Sequence, residues 1–220
     1  MAYIPAAFRN EDPAALMALM RAHPLAVLAS FSEGELHVSH LPLLVEEEGG
    51  RPAWLVGHFA VANPQARIAG TGLEAVAVFT GPATYVSPSW YATKAQTGKV
   101  VPTWNYAAVY VHGTLEFLDD HAGKHGVVSS LTDAREAAMP RPWAVDDAPE
   151  DFVAAQLRAV RGFRMRITRI EGKWKMSQNR SEADRQGVVD GLAASAAPGA
   201  AAVHALMSGD APGAGGAGTA

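Results

Sequence analysis

The chain has 220 residues, 49% of them hydrophobic and 18% charged, enough for one sizeable core or a core with a small appendage. A formal net charge of −4 argues against broad, charge-driven nucleic-acid binding, and the lack of cysteine excludes disulfides and thiolate metal sites. No apolar run approaches the roughly 20 residues that span a bilayer, and the N-terminus lacks the features of a secretory signal, so a soluble cytoplasmic protein without a membrane partner is expected.

Acids and Pro13 ahead of Leu16, Met17, Leu19 and Met20 predict a short amphipathic helix over 11–23. From Leu25 the pattern turns to strands: 25–31 and 35–47 flank the hairpin signal S-E-G, and a second turn at 46–52 leads into 53–60. Asn63 with Pro64 behind it opens one or two helical turns. A strand over 74–81 is predicted to break at Gly81-Pro82, with 83–88 continuing extended and a long strand over 104–118. Residues 119–160 read as two helices separated by 139–149; then come a basic strand, 163–170, and the segment 171–180. Ser181 has capping-box spacing to Asp184 and starts a last helix. From 196 onwards the Ala/Gly/Pro-rich chain predicts a flexible tail with at most a weak helix over 201–207. The organisation expected is therefore one domain over 1–195 with C-terminal helices, followed by the tail 196–220.

About six strands joined by short turns point to one antiparallel sheet with flanking helices. Strands apolar on both faces, such as 40–45, need cover on both sides, which a small closed barrel supplies with helices or a partner subunit outside. On the long strand, alternation puts Ala107, Val109, Val111, Leu115 and Phe117 on one face. Trp104, Tyr106, Ala108, Tyr110, His112 and Thr114 form the other, an aromatic row with polar tips. That row suits a ligand or subunit surface, or equally the underside of a covering helix.

The histidines make no metal site: His37 and His40 face opposite ways, and His121 and His125 lack a third ligand. There is no nucleophile motif and no glycine-rich dinucleotide fingerprint, so no catalytic residue is assigned. Half of the lysines and arginines fall within 158–185. Arg164 and Arg166 read as a solvated strand face. The stretch 173–180, K-W-K-M-S-Q-N-R, is rich in donors and suits an anionic, planar ligand, beside the free backbone N–H groups of the Ser181 helix.

The motifs Y-I-P-A-A-F at 3–8, S-H-L-P-L at 39–43, G-H-F-A-V-A-N-P-Q at 57–65, F-T-G-P-A-T-Y-V-S-P-S-W-Y at 79–91, V-P-T-W-N-Y at 101–106 and K-M-S-Q-N-R-S-E-A-D at 175–184 occur in one order. Together they resemble the PaiB-like FMN-binding negative transcriptional regulators, over about residues 2–195. The resemblance implies an FMN-binding split β-barrel, working as a homodimer with the flavin at the subunit interface. It places the phosphate near Ser39, His40, His58, Asn63 and Gln65. Val61 stands where related sequences can carry a basic residue, which shifts the charged contact to Arg67, the adjoining helix start and Arg180. For the isoalloxazine it implies Trp90, Trp104, Asn105, Ser177, Gln178 and Asn179, with Tyr85 and Trp54 left to the core.

Two functions follow from the resemblance. One is a negative transcriptional regulator with FMN as ligand or redox sensor; the other is a flavin-dependent oxidoreductase acting on a small molecule with NAD(P)H. Direct DNA contact through 158–185 comes third, because the chain is acidic overall and shows no helix-turn-helix.

Overall fold

Asp12 starts the first helix in the computed structural model, which describes residues 2–68 and 72–209. Its carboxylate accepts the N–H of Ala14 at 3.0 Å, and Pro13 occupies the first helical position, where no backbone donor is needed. Helix α1 (Pro13–Ala22) buries Leu16, Met17, Leu19 and Met20 on one stripe. Eight strands share one sheet: β1 (Arg9–Asn10), β2 (Leu25–Ser32), β3 (Glu35–Pro42), β4 (Leu44–Glu48), β5 (Arg51–Ala60), β6 (Leu73–Val86), β7 (Thr103–Leu118) and β8 (Val160–Lys175). Their order is β3-β2-β6-β7-β8-β5-β4, with β1 on β8. The pairs β1–β8, β2–β3, β2–β6, β4–β5 and β5–β8 are antiparallel. The remaining helices are α2 (Thr93–Thr97), α3 (His121–Glu136), α4 (Glu150–Arg158), α5 (Glu182–Ala193) and α6 (Ala200–Ser208).

The chain forms two compact units, one from the described parts of 1–22, 80–109 and 171–220, the other from those of 23–79 and 110–170. In the second unit, Leu28, Leu55, Phe59, Phe163, Met165 and Leu115 are fully buried. Gly57 lets this core close: a Cβ there would lie 2.7 Å from Leu43 and 2.8 Å from Phe163. On the β2–β3 hairpin one face buries Ala26, Leu28, Ser30 and Ser39. The opposite face leaves Leu25, Phe31, Leu36 and Val38 each more than half exposed, with Phe31 directly across from Leu36. In the first unit the core is built from the α1 stripe, Val86, Ala107, Val109, Met176, Val188, Leu192 and Val203.

Four sequence expectations change. The 35–47 strand divides at Leu43, whose N–H leaves the ladder to donate to the Pro24 carbonyl at 2.9 Å, so β3 pairs with β2 and β4 with β5. Gly81-Pro82 does not break β6. Gly81 instead gives room to Leu19, whose Cδ1 would stand 2.8 Å from a Cβ at that position. The basic strand runs on without a break from Val160 to Lys175. Finally, 196–209 is not a frayed tail: α6 buries Ala200, Val203 and Met207, and Gly199 at φ 76° opens it. Apolar side chains at 200, 203 and 207 share one helical face, a 3–4 spacing hidden by the alanines around it. Residues 210–220 lie outside the described residues.

Candidate functional site

The first unit holds the densest polar chemistry. β7 alternates as expected, with Asn105, Ala107, Val109 and Val111 buried and Trp104 56% exposed. The Trp104 ring meets Tyr85 edge-on at 6.4 Å. Tyr85 is therefore not a core residue; it is 44% exposed and extends the aromatic surface. Lys175 at the end of β8 donates to the Thr103 hydroxyl and to the Trp104 carbonyl. Partial burial, then the nearby Lys173 and Arg180 charges, push the Lys175 ammonium below the usual lysine range. Lys173 and Lys175 belong to the donor-rich stretch 173–180, but within it the site residues implied by the resemblance began at Ser177, so neither lysine was among them. Alternate positions 173 and 175 on a strand were the available signal.

Past Lys175 the chain turns sharply. Ser177 takes a left-handed conformation at φ 62°, which costs a non-glycine residue roughly 1–3 kcal/mol unless its surroundings hold it there. They do: its Oγ lies 3.1 Å from Asn105 Nδ2 and donates to Asn105 Oδ1 at 3.2 Å, and its carbonyl accepts the Arg180 N–H at 3.0 Å. Asn105 and Ser177, both buried, are spent on each other, with Asn105 Nδ2 also 3.4 Å from Met207 Sδ. The turn leaves Gln178 and Asn179 exposed and Arg180 half-buried. The Arg180 guanidinium lies 4.8 Å over the Tyr91 ring. A cavity of about 620 Å³ opens beside Gln178, Arg180, Arg185 and Gln186.

Trp90 is held differently from Trp104. Its ring lies against Gly191 of α5, where a Cβ would come within 2.4 Å of it. Its carbonyl oxygen would be 2.0 Å from a Cβ at Gly187, one helical turn earlier. Asp184, buried at the start of α5, ties the same helix to α2 by accepting the Thr93 N–H and hydroxyl, both at 2.8 Å. The Thr93 backbone donor, foremost, holds the Asp184 carboxyl below the usual carboxylate range. Such a group adds stability that is present above its unfolded pKa, about 3.9, and is lost as pH falls through its lower folded value. Asp184→Asn should therefore be less stable than the parent at pH 7. Urea midpoints measured down to pH 3 should show the gap closing; a constant gap would locate the loss in packing.

The second unit carries the other candidates. Ser39 Oγ accepts from Asn63 Nδ2 at 2.8 Å, and Asn63 Oδ1 caps the short turn by accepting the Gln65 N–H at 2.9 Å. His40 and Arg67 are exposed, and an Arg67 Nη2 donates to the Ala62 carbonyl at 3.3 Å. Gln65 is enclosed, 1% exposed, with its amide donating to Ser30 Oγ at 2.8 Å. His58 is half-buried, and its desolvated ring is pushed below the usual imidazole range, hence neutral at pH 7. Trp54 belongs to the core, as expected, with Nε1 donating to Glu48 at 2.7 Å.

The basic strand is largely neutralised. Arg161 pairs with Asp119 at 2.7 Å and Arg164 with Glu116 at 2.8 Å, while Arg166 lies 3.6 Å from Glu48. Their guanidiniums also stack, Arg161 on Phe117 at 3.7 Å, Arg164 and Arg166 on Trp54 at 4.2 and 4.7 Å. Among the described residues no helix is long and apolar enough to cross a membrane.

Solved structures with this fold include proteins named for a flavin. A FAD and heme binding protein from Mycobacterium smegmatis superimposes with a TM-score of 0.56 at 19% identity, over 87% of this chain and 82% of its own. A flavocytochrome from Azotobacter vinelandii does so with a TM-score of 0.53 at 16% identity, over 81% and 75%. The fold is that of the flavin-binding split-barrel proteins. Residues 2–169 match the family described as "Putative FMN-binding domain". The chain belongs to this family, and its cofactor is FMN. It is 28% identical to the protease synthase and sporulation protein PAI 2 of Bacillus subtilis, over 93% of this chain and 96% of that protein. With an uncharacterized protein of Aspergillus fumigatus it shares 32% identity over 86% and 90%. The donor set of the first unit suits FMN: crowded cations for a dianionic phosphate, exposed amides for the pyrimidine edge, and Trp104 for a ring.

Proposed function

We propose that the protein is an FMN-dependent regulator of the PaiB kind, in which the flavin or its redox state sets the conformation or partner of a homodimer. The observation that carries this is the crowding of Lys173, Lys175 and Arg180, a cluster that an anionic cofactor relieves. Arg180 and Lys175 are the anion contacts we assign, with Trp104, Gln178 and Asn179 for the ring system. In the second unit, Ser39 and Asn63 are left to the hydrogen bonds they make with each other and with the Gln65 N–H, His40 and Arg67 are exposed, and Gln65 is left to the core. FMN supplies electron or hydride transfer, and the protein's part is to hold, orient and shield it. The name of the Bacillus subtilis relative, protease synthase and sporulation protein, supports a regulatory role. Direct DNA reading through 158–185 is not proposed, because Arg161, Arg164 and Arg166 already face carboxylates.

The homodimer is assigned to the hairpin face bearing Leu25, Phe31, Leu36 and Val38, an apolar patch of the kind that marks an interface. Phe31→Glu should convert a dimer to a monomer in sedimentation velocity at micromolar concentration. A wild-type monomer would sink the assignment.

The oxidoreductase remains a second reading, favoured by a largely apolar cavity of about 360 Å³ in the second unit, of a size for a small substrate. The absorbance spectrum of the purified protein, followed by NAD(P)H oxidation with added FMN, separates the two. Flavin without turnover supports the regulator, and turnover supports the enzyme. Retention of FAD in place of FMN would remove both.

Trp104→Ala and Arg180→Ala should each weaken FMN binding, with different salt signatures. The Trp104 defect, loss of apolar contact, should persist at high ionic strength. The Arg180 defect, a charge-assisted contact worth roughly 1.5–3 kcal/mol, should shrink as salt weakens the parent's contact. Fluorescence titrations at two salt concentrations read this directly, and native affinity in both variants would relocate the site.

A further inference from the structure

The outer face of the β2–β3 hairpin continues across β6, the next strand of the sheet. Ala29 pairs with Val38 on one side and Val76 on the other, and Val27 pairs with His40 and Val78. Val27, Ala29, Val76 and Val78 are all half-buried. Three adjoining strands of the second unit thus turn aliphatic side chains outward, where a solvated antiparallel face carries polar ones. The ionisable side chains on this face are His40 of β3 and Glu74 of β6, the latter two positions before Val76 and so on the same side of its strand. Both are exposed, and neither has a hydrogen-bond or ion-pair partner among the described residues. Their positions are related through Ala29. His40 lies one strand to one side of it, level with Val27; Glu74 lies one strand to the other side, two residues beyond Val76 in the opposite sense. Acid and base therefore occupy opposite corners of the patch, with its smallest side chain midway between them.

We infer that this face pairs with a second copy of the chain about a two-fold axis passing over Ala29, with His40 of each copy against Glu74 of the partner subunit. The inference rests on the homodimer reading above and adds the register in which the two copies meet. A two-fold interface is self-complementary, so that residue i faces j and j faces i. An acid and a base equidistant from the centre of one face satisfy both contacts with a single axis. A partner of another kind would have to bring a matching cation and anion of its own, whereas a second copy supplies both from the same two residues. Ala29 at the axis lets the two sheets approach closely. The ion pairs stand at the edge of the apolar patch, where water still reaches them, so they select this register against others more than they add affinity.

The test is charge exchange in the full-length protein with FMN added, read by sedimentation velocity at pH 6, where an imidazole side chain is largely charged. His40→Glu alone and Glu74→Lys alone should each weaken the homodimer about tenfold or more, because two opposite-charge contacts become two like-charge ones. The double variant His40→Glu/Glu74→Lys exchanges the signs and should dimerise as the native protein does. At a concentration where both single variants are monomers, mixing them in equal amounts should restore a dimer, since every charge then meets its opposite. Both positions are exposed, and circular dichroism confirms that each variant is folded. Single variants that dimerise natively, or a double variant that fails to recover, overturn the register. Phe31→Glu then shows separately whether the face itself still carries the dimer. A native protein that is monomeric removes the homodimer reading and this register with it. Variants that stay dimeric but release FMN would give His40 to the flavin, which also overturns the inference.

Discussion

Ending the chain at Ser195 should lower the melting temperature by at least about 6 °C, taking 2 °C per kcal/mol for a protein of this size. The deletion removes Val203, fully buried, and Met207, 8% exposed, each worth about 1.5–3 kcal/mol of burial. It also uncovers the α5 surface against which α6 packs. A loss of some 3 kcal/mol or more is a large share of a typical 5–15 kcal/mol total. FMN affinity should fall with it, because Met207 Sδ stands 3.4 Å from the Asn105 amide that holds the left-handed Ser177. Thermal melts by circular dichroism and a flavin titration check both parts. An unchanged melting temperature would mean that α6 contributes nothing to the fold.

Lys175→Gln should separate stability from binding. The ammonium is partly desolvated and sits near two further cations, so its charge opposes folding until an anion arrives. Below the unfolded lysine pKa of about 10.4, the folded state binds its proton less readily than the unfolded chain does. Removing the charge should therefore leave the melting temperature of the FMN-free protein unchanged or higher, although the contacts to Thr103 and Trp104 are altered. FMN affinity should fall about tenfold or more, the value of one charge-assisted hydrogen bond at roughly 1.5 kcal/mol. The opposite pattern, lower stability with native affinity, would make Lys175 a structural cation that ties β8 to β7.

Local signals in the chain carried most of the fold. Pro13, Ser181 and the acids around them mark helix starts that the structure keeps, and the alternation of β7 survives from Trp104 to Leu115 except at Ala108, which is buried. Gly81-Pro82 misled because a glycine placed for Leu19 to approach looks, in sequence, like a glycine placed to break a strand. The α6 segment was discounted on composition, since alanine and glycine around Val203 and Met207 masked a face that becomes apolar only once the helix is wound. The site was legible by residue type but not by availability. Trp104, Gln178 and Arg180 stay accessible, whereas Asn105 and Ser177 satisfy each other and Gln65 faces Ser30. Whether a polar side chain is already spent depends on a partner 35 to 72 positions away, and no local pattern encodes that.

The paired glycines of α5 bear on how this family can vary. Gly187 and Gly191 stand one turn apart under Trp90, each with less than 2.5 Å for a first side-chain carbon. Every missense change of one base in a glycine codon introduces that carbon, so neither position has a neutral neighbour in the genetic code. Escape at either site requires Trp90 or its backbone to shift at the same time. Lineages should therefore cross this part of the sequence by coupled replacements or not at all, however freely the alanines around α6 drift.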